Sequence, residues 1–178
     1  EYCLSTYHVI CKAEVSSNMA RFDGIRFGHR TKEYSNVDEL YKNSRTEGFG
    51  EEVKRRILMG TYFLSMGHGR KYYEKALRMR TLICDDFKKA FEKCNIILTP
   101  SSPILPFEIG KLKDEFVVKD FTSIFAIPVN LAGLCAMSIP CGYIEGLPVG
   151  LQIIGGRYED LNMIKAGLAF EGGMKNGI

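Results

Sequence analysis

Apolar residues recur at steps of three and four over the first ninety residues, which predicts a series of amphipathic helices. The first helix is predicted to begin at a cap formed by Ser5 or Thr6. Its apolar face is Leu4, His8, Cys11, Val15 and Met19. A second helix is predicted after Asn36, with Glu39 three residues on as a capping box, and it ends at Gly48.

Two more helices continue this helical spacing. The third has inward positions at Val53, Ile57, Gly60 and Leu64, and the glycines on either side of His68 are predicted to end it. The fourth is predicted over residues 71–93. Its apolar stripe is Tyr72, Ala76, Met79, Ile83, Phe87 and Ala90.

Beyond residue 94 the pattern changes to short apolar runs bounded by proline and glycine, which is typical of buried strands. "NIILTP" predicts a strand that ends at Pro100, and "AMSIPCGYI" and "PVGLQIIG" predict two strands joined at Glu145-Gly146. Residues 121–131 predict a helix kinked at Pro128, and a closing helix capped near Asp160 follows. Its apolar positions are Leu161, Ile164 and Leu168. Helices alternating with buried strands predict the α/β class.

Composition narrows the class of protein but does not identify a binding partner. The chain has 178 residues, of which 46% are hydrophobic and 25% charged, as in a globular domain. A formal net charge of +3 is too small to indicate a nucleic acid or a membrane surface. Prolines and glycines interrupt residues 130–155, which excludes a membrane span there. Because the chain begins at Glu1 and shows no leader pattern, we expect it to be a piece of a longer protein.

Cysteine and histidine usage indicates a reducing compartment and no metal. The six cysteines include no C-x-x-C pair, which fits the cytosol. The three histidines are scattered without the spacing of metal ligands, so no metal site is expected. His8, on the apolar face of the first helix, is interpreted as a structural residue rather than a base.

Arg56 and Tyr7 are the candidate binding residues that the helical pattern offers. Arg56 lies at the edge of the inward face of the third helix, and Gly60, one turn later, is predicted to leave space beside it. A guanidinium in that position can bind a substrate carboxylate with two hydrogen bonds; the alternative is a solvated surface charge. Tyr7 lies beside the apolar face of its helix and either packs there or lines a pocket.

Ser101-Ser102, in the run "TPSSP", is a serine pair that suggests a nucleophile. A serine nucleophile needs a neighbouring base and backbone amides that form an oxyanion hole. Prolines flank this pair and supply no N–H, whereas serine and proline together suit a turn. The pair is therefore interpreted as a turn after a strand.

Four long segments carry a resemblance to a known family. In order they are "EYCLSTYHVICKAEVSSNMARFDGIRFGHR", "SRTEGFGEEVKRRILMGTYFLS", "NIILTPSSP" and "FAIPVNLAGLCAMSIPCGYIEGLPVGLQIIG". They resemble the C-terminal part of the A subunits of aspartyl/glutamyl-tRNA amidotransferases, in the amidase-signature family. The resemblance covers nearly the whole chain and implies the C-terminal portion of a single amidase domain, residues 1–178, with an α/β/α fold around a mixed central sheet.

The resemblance also implies an activity. In the family, a Ser-Ser-Lys set hydrolyses glutamine, and the ammonia passes to a partner subunit that amidates Glu-tRNA(Gln) or Asp-tRNA(Asn). It implies B and C subunits as partners, and ATP and Mg used by the partner subunit rather than by this chain. The implied location is the cytoplasm, or an organelle matrix. No segment matches the half of the family that carries Ser-Ser-Lys, so no catalytic residue is assigned here and this portion alone is expected to be inactive.

Three positions are assigned to substrate binding by resemblance. Tyr7 matches a tyrosine that contacts the bound glutamine, and Arg56 matches the arginine that holds its α-carboxylate. Ser123 stands where the family has an aspartate that pairs with the substrate ammonium. Asp120, three residues earlier, would take over only if the backbone shifts. Cys135, where the family commonly has proline, is a departure of modest effect.

Two alternatives follow from these departures. Ser123 in place of the carboxylate favours an amidase-family hydrolase that acts on another amide. The missing catalytic half leaves open a non-catalytic fragment that binds a partner protein, although the start at Glu1 favours truncation or cleavage instead.

Overall fold

The computed structural model describes residues 2–110 and 121–175 and divides the chain into two compact units. One unit is Ser5–Arg78, and the other is Glu1–Leu4 together with Met79–Ile178. The helices of the first unit are α1 (Cys3–Met19), α2 (Val37–Gly48) and α3 (Glu51–Leu64), and α4 (His68–Phe91) continues into the second. The second unit also holds β1 (Ile96–Pro100), α5 (Ala126–Ala132), β2 (Cys135–Ile144), β3 (Leu147–Gly155) and α6 (Asp160–Lys175). These elements confirm the α/β class; the mixed sheet of a whole domain stays a prediction.

The α2 cap is confirmed in detail. Asn36 Oδ1 accepts a hydrogen bond from the Glu39 backbone N–H at 2.9 Å, and Glu39 Oε2 accepts one from the Ser35 N–H at 2.8 Å. The first bond satisfies a backbone donor that the start of a helix leaves unpaired, and the second binds the residue before the cap rather than Asn36 itself. Further on, Arg45 of α2 donates to the carbonyl oxygens of Met19 and Phe22 and so anchors α2 at the end of α1.

Two predictions about α1 are wrong. The helix begins at Cys3 rather than at a cap formed by Ser5 or Thr6. Its buried residues are Thr6, Ile10, Lys12 and Ala13, whereas the predicted apolar face is only half-buried. The reason is that α1 is apolar on most sides, so the spacing of its large residues does not select one face. Burial is set instead by the close approach of α3, whose Gly60 lies against the Lys12 backbone.

Gly60 is the point at which α3 meets α1, so the predicted open space beside Arg56 is wrong. A Cβ atom on Gly60 would lie 1.9 Å from the Lys12 carbonyl oxygen. The hydroxyls of Ser16 and Thr61 are 3.0 Å apart in the same contact. The missing side chain therefore admits the backbone of α1 rather than a ligand.

The break before α4 is at Gly67 alone. Gly67 has φ +93°, a left-handed conformation that glycine adopts without strain. Gly69, also predicted as a breaker, lies within α4, and a Cβ there would be 1.9 Å from the Tyr62 carbonyl oxygen. This glycine is therefore required by the close approach of the end of α3.

The three strands form an antiparallel sheet in the order β1-β3-β2. Their positions agree with the three predicted strands, and Glu145 (φ 53°) and Gly146 (φ 77°) make the tight turn between β2 and β3. One face of the sheet packs on α6, with Ile153, Ile139 and Met163 at its centre. The opposite face carries a polar row across all three strands, described below.

Two helices of this unit differ from their predictions. α5 begins at Ala126, which puts Pro128 in its first turn, where a missing N–H removes no helical hydrogen bond and causes no kink. α6 begins at Asp160 as predicted, but its apolar face is wrong. Leu161, Ile164 and Leu168 are exposed. Met163 and Gly167 face the sheet instead, because glycine lets the helix approach Met137 of β2.

Candidate functional site

Arg56 is half-buried on α3 and is held by a carboxylate one turn earlier. Its Nε donates to Glu52 Oε1 at 2.7 Å. Because Nε binds Glu52, the two terminal amino groups of the guanidinium remain on the opposite side. They can donate two parallel hydrogen bonds to a ligand carboxylate. The bond to Glu52 restricts a long side chain to one direction, so less rotamer entropy remains to be lost when a ligand binds.

Glu52 joins two neighbouring arginines. Besides Arg56, it accepts hydrogen bonds from Arg55 Nε at 3.0 Å and Arg55 Nη2 at 3.3 Å. The Arg55 hydrogen bond is the main cause of the lowered pKa of Glu52, and Arg56 lowers it further. A carboxyl with a lowered pKa is fully ionised at neutral pH, and its pairing is lost only as the pH falls through that pKa. The Glu52–Arg56 pair is therefore formed throughout the physiological range.

Tyr7 and Arg56 lie in the same compact unit, on α1 and α3. The pKa of Arg56 is raised, mainly by the hydrogen bond to Glu52 and to a smaller extent by Cys11 and Tyr7 of α1. Tyr7 and Cys11 are one helical turn apart and so share a face of α1. Tyr7 is half-buried, with its ring 5.6 Å from that of His8. Tyr7 and Arg56 are therefore carried by α1 and α3, the two helices that meet at Gly60.

Ser123 belongs to the other unit, in the turn that leads into α5. Its side chain is exposed, and its backbone carbonyl accepts hydrogen bonds from the Ala126 and Ile127 N–H groups, both at 3.0 Å. Asp120, the candidate substitute carboxylate, lies outside the described residues. The substrate-binding roles of Tyr7, Arg56 and Ser123 remain predictions.

A polar row crosses the sheet next to the Ser123 turn, and sequence reasoning missed it. Gln152 of β3 pairs in register with Thr99 of β1 on one side and Ser138 of β2 on the other. The hydroxyls of Ser101 and Ser138 are hydrogen-bonded to each other, and the Ser101 N–H donates to the Gly150 carbonyl. These contacts support a structural role for Ser101, as the turn interpretation expects.

An apolar groove of about 420 Å³ lies beside this row. Its walls come from the loop after β1 and from the β2–β3 hairpin, with Thr122, the neighbour of Ser123, at one side. The apolar lining is Pro103, Ile104, Leu105, Pro106, Phe107 and Ile144, among others. Its volume is in the range of pockets that take small organic ligands.

The part of the chain that the structure describes contains neither a membrane-spanning helix nor a metal-binding cluster. There, no helix combines the length and the apolar character needed to cross a membrane. No three His, Cys, Asp or Glu side chains within residues 2–110 and 121–175 are grouped as a metal ion would require.

The Glu52–Arg56 pair yields a testable prediction. If Arg56 binds the glutamine carboxylate, as the resemblance implies, Glu52→Gln in the full-length protein should raise KM for glutamine by about three- to tenfold, because a neutral amide holds the Arg56 guanidinium less firmly than a carboxylate. Glu51→Gln is the matched control, since Glu51 pairs with Lys54 at 3.2 Å and its side chain is 92% exposed. Steady-state glutamine hydrolysis measures both variants, and equal KM values in the two would contradict a role for Glu52.

Comparison with known proteins finds one family along most of this chain. The amidase family matches residues 1–164. The A subunit of glutamyl-tRNA(Gln) amidotransferase from Caldanaerobacter subterraneus subsp. tengcongensis is 52% identical over 171 residues, which are 96% of this chain and 35% of that protein. Its counterpart from Symbiobacterium thermophilum is 48% identical over the same shares. The chain thus spans about a third of the length of these relatives.

Solved structures give the same result. The A subunit of the Thermotoga maritima glutamyl-tRNA(Gln) amidotransferase matches with a TM-score of 0.60 and 38% identity, over 89% of this chain and 29% of that one. A bacterial aryl acylamidase of the amidase-signature family matches with a TM-score of 0.67 over 93% of this chain and 32% of that one. Because the latter is only 20% identical, it bears on the fold alone.

Proposed function

The chain belongs to the amidase family, and we propose that it is the C-terminal, substrate-binding portion of the glutamine-hydrolysing component, the A subunit, of a tRNA-dependent amidotransferase. The observation that carries this proposal is the Arg56 guanidinium, which is fixed by an ionised Glu52 one turn earlier on α3. This arrangement suits the α-carboxylate of a free amino acid such as glutamine. The names of the 52% and 48% identical relatives support the same interpretation.

In the proposed reaction this portion binds and orients glutamine, and the nucleophile comes from elsewhere. We assign the serine nucleophile, the bridging serine and the lysine base to the part of the longer relatives that this chain does not span. On this proposal the residues 1–178 alone are inactive. Arg56 binds the α-carboxylate of glutamine. The side-chain amide carbon of glutamine then lies at a fixed distance from Arg56, where the serine can attack it.

The wider setting is part of the same proposal. The released ammonia passes to a partner subunit, which amidates Glu-tRNA(Gln) or Asp-tRNA(Asn) with ATP and Mg. B and C subunits complete the complex, in the cytoplasm or an organelle matrix. These partners, cofactors and locations rest on the family resemblance.

Ammonia release by the full-length protein tests this function. We expect kcat/KM for glutamine to exceed that for hexanamide by about tenfold or more, the factor that corresponds to one charge-assisted hydrogen bond to the substrate. Brisk hydrolysis of hexanamide with no release of ammonia from glutamine would overturn the proposal.

One observation favours a second function, that of an amidase acting on another amide. Ser123 replaces the carboxylate expected to pair with a substrate ammonium, and an apolar groove of about 420 Å³ adjoins its neighbour Thr122. A groove with this lining suits an alkyl or aryl amide better than an amino acid. The comparison of glutamine with hexanamide separates the two functions, because a preference for hexanamide supports the second.

A further inference from the structure

Gln152 is a buried polar residue in the middle of an apolar strand. It is 7% exposed, and Leu151, Ile153 and Ile154 surround it in β3. Its side-chain nitrogen donates one hydrogen bond to Thr99 Oγ1 at 2.9 Å and another to the Phe125 carbonyl oxygen at 3.1 Å. Because a carbonyl only accepts, the amide nitrogen and not the amide oxygen must face Phe125. The orientation of the Gln152 amide is therefore fixed by its partners.

The Phe125 carbonyl belongs to the turn that carries Ser123. Phe125 caps α5, and the Ser123 carbonyl accepts hydrogen bonds from the first two N–H groups of that helix. Residues 123–127 thus form one hydrogen-bonded turn. The hydrogen bond from Gln152 to the Phe125 carbonyl ties this turn to β3. It therefore restricts the distance between the turn and the sheet, and with it the position of Ser123.

The geometry points to Gln152 as a positioning residue for the group that recognises the α-ammonium end of the substrate. It acts through Phe125 and Ser123 and does not touch the substrate. This inference rests on the proposed function, in which glutamine is the substrate and Ser123 faces its ammonium group. A polar side chain buried in a strand costs free energy unless its hydrogen bonds are made, so the two bonds of Gln152 are retained in the folded state.

The test compares a variant that removes both hydrogen bonds of the Gln152 amide nitrogen with one that removes only the bond to Thr99. Gln152→Met keeps the length of the side chain but releases Phe125, whereas Thr99→Val removes the partner on β1 and leaves the bond to Phe125. In the full-length enzyme we expect Gln152→Met to raise KM for glutamine by about three- to tenfold, the worth of one hydrogen bond. Thr99→Val should leave KM for glutamine within about twofold of the wild type, because the bond that holds the turn is intact.

A second substrate separates positioning from general damage. Glutaramate, which is glutamine without the α-amino group, cannot use the ammonium-binding position. Gln152→Met should therefore change kcat/KM for glutaramate much less than for glutamine. Thermal unfolding of each variant and amidation supported by free ammonia report whether the protein is folded. Where Gln152→Met fails to fold, Gln152→Asn takes its place, since the shorter amide withdraws from Phe125.

Two outcomes overturn the inference. Equal increases of KM in Gln152→Met and Thr99→Val would show that the amide only stabilises the sheet. Equal losses for glutamine and glutaramate would show that the Ser123 turn is not the element affected. Neither result bears on the proposed function, which fails instead if the unmodified enzyme releases no ammonia from glutamine.

Discussion

Arg56→Ala in the complete amidotransferase is expected to lower kcat/KM for glutamine by about 10- to 150-fold, which is the worth of the charge-assisted hydrogen bonds to a carboxylate. The variant keeps the helix, because alanine is the best helix former. It also leaves Glu52 paired with Arg55 through two hydrogen bonds, so no isolated charge remains on α3. The loss should therefore reflect substrate binding rather than unfolding.

Amidation supported by free ammonia provides the internal control for Arg56→Ala, because ammonia bypasses the glutamine pocket. We expect that rate to stay near the wild-type value. Arg55→Ala is the matched variant: it removes a second arginine that shares Glu52, from an exposed position on the same helix. Equal loss of glutamine-dependent and ammonia-dependent amidation in Arg56→Ala would refute the assignment of Arg56 to the glutamine carboxylate.

Ser123→Asp is expected to lower KM for glutamine by about 10- to 150-fold, because it supplies a carboxylate for the substrate ammonium. Ser123 is exposed at the start of a hydrogen-bonded turn, a position that accepts aspartate without burying its charge. The measurement is steady-state ammonia release from glutamine and from glutaramate. Glutaramate lacks the ammonium, so its KM should not fall.

Asn130→Asp is the control for an added negative charge, since Asn130 is an exposed residue of α5, the helix that follows the Ser123 turn. It should leave KM for glutamine unchanged. If Ser123→Asp has no effect on glutamine and lowers the turnover of hexanamide, the natural substrate is an amide without an ammonium group. That result would favour the second candidate function.

The sequence predicted correctly those elements that depend on a few residues adjacent in the chain. The Asn36 cap depends on two side chains and the backbone between them, and the hairpin at Glu145-Gly146 depends on two residues that adopt positive φ. The strand ending at Pro100 follows from a short apolar run and a proline. Each of these predictions needed no knowledge of the rest of the fold.

The buried faces of α1 and α6 were not predictable in the same way. Both helices are apolar on more than one side, so spacing alone offers several faces. Which face is buried depends on close approach to a neighbour, and glycine marks those contacts: Gly60 lies against α1, and Gly167 lies against Met137. Neither contact can be deduced from the periodicity of large apolar residues.

The candidate site was predictable only in part. The edge position of Arg56 followed from helical spacing, and its partner Glu52, four residues earlier, had a spacing that could have been recognised. Gln152 gave a weaker signal, a single amide within the run "GLQIIG". Its partners Thr99 and Phe125 are distant in sequence, so only the fold brings them together.

The transfer of isotope from glutamine to tRNA tests the central claim most directly. The full-length protein, assembled with the proposed B and C subunits, ATP and Mg, would receive glutamine labelled with ¹⁵N in the side-chain amide and Glu-tRNA(Gln). We expect Gln-tRNA(Gln) that carries ¹⁵N, with the rate of labelling lowered about 10- to 150-fold in Arg56→Ala. Product amidated from added ammonium but never from labelled glutamine would contradict the proposal that this chain binds glutamine for an amidotransferase.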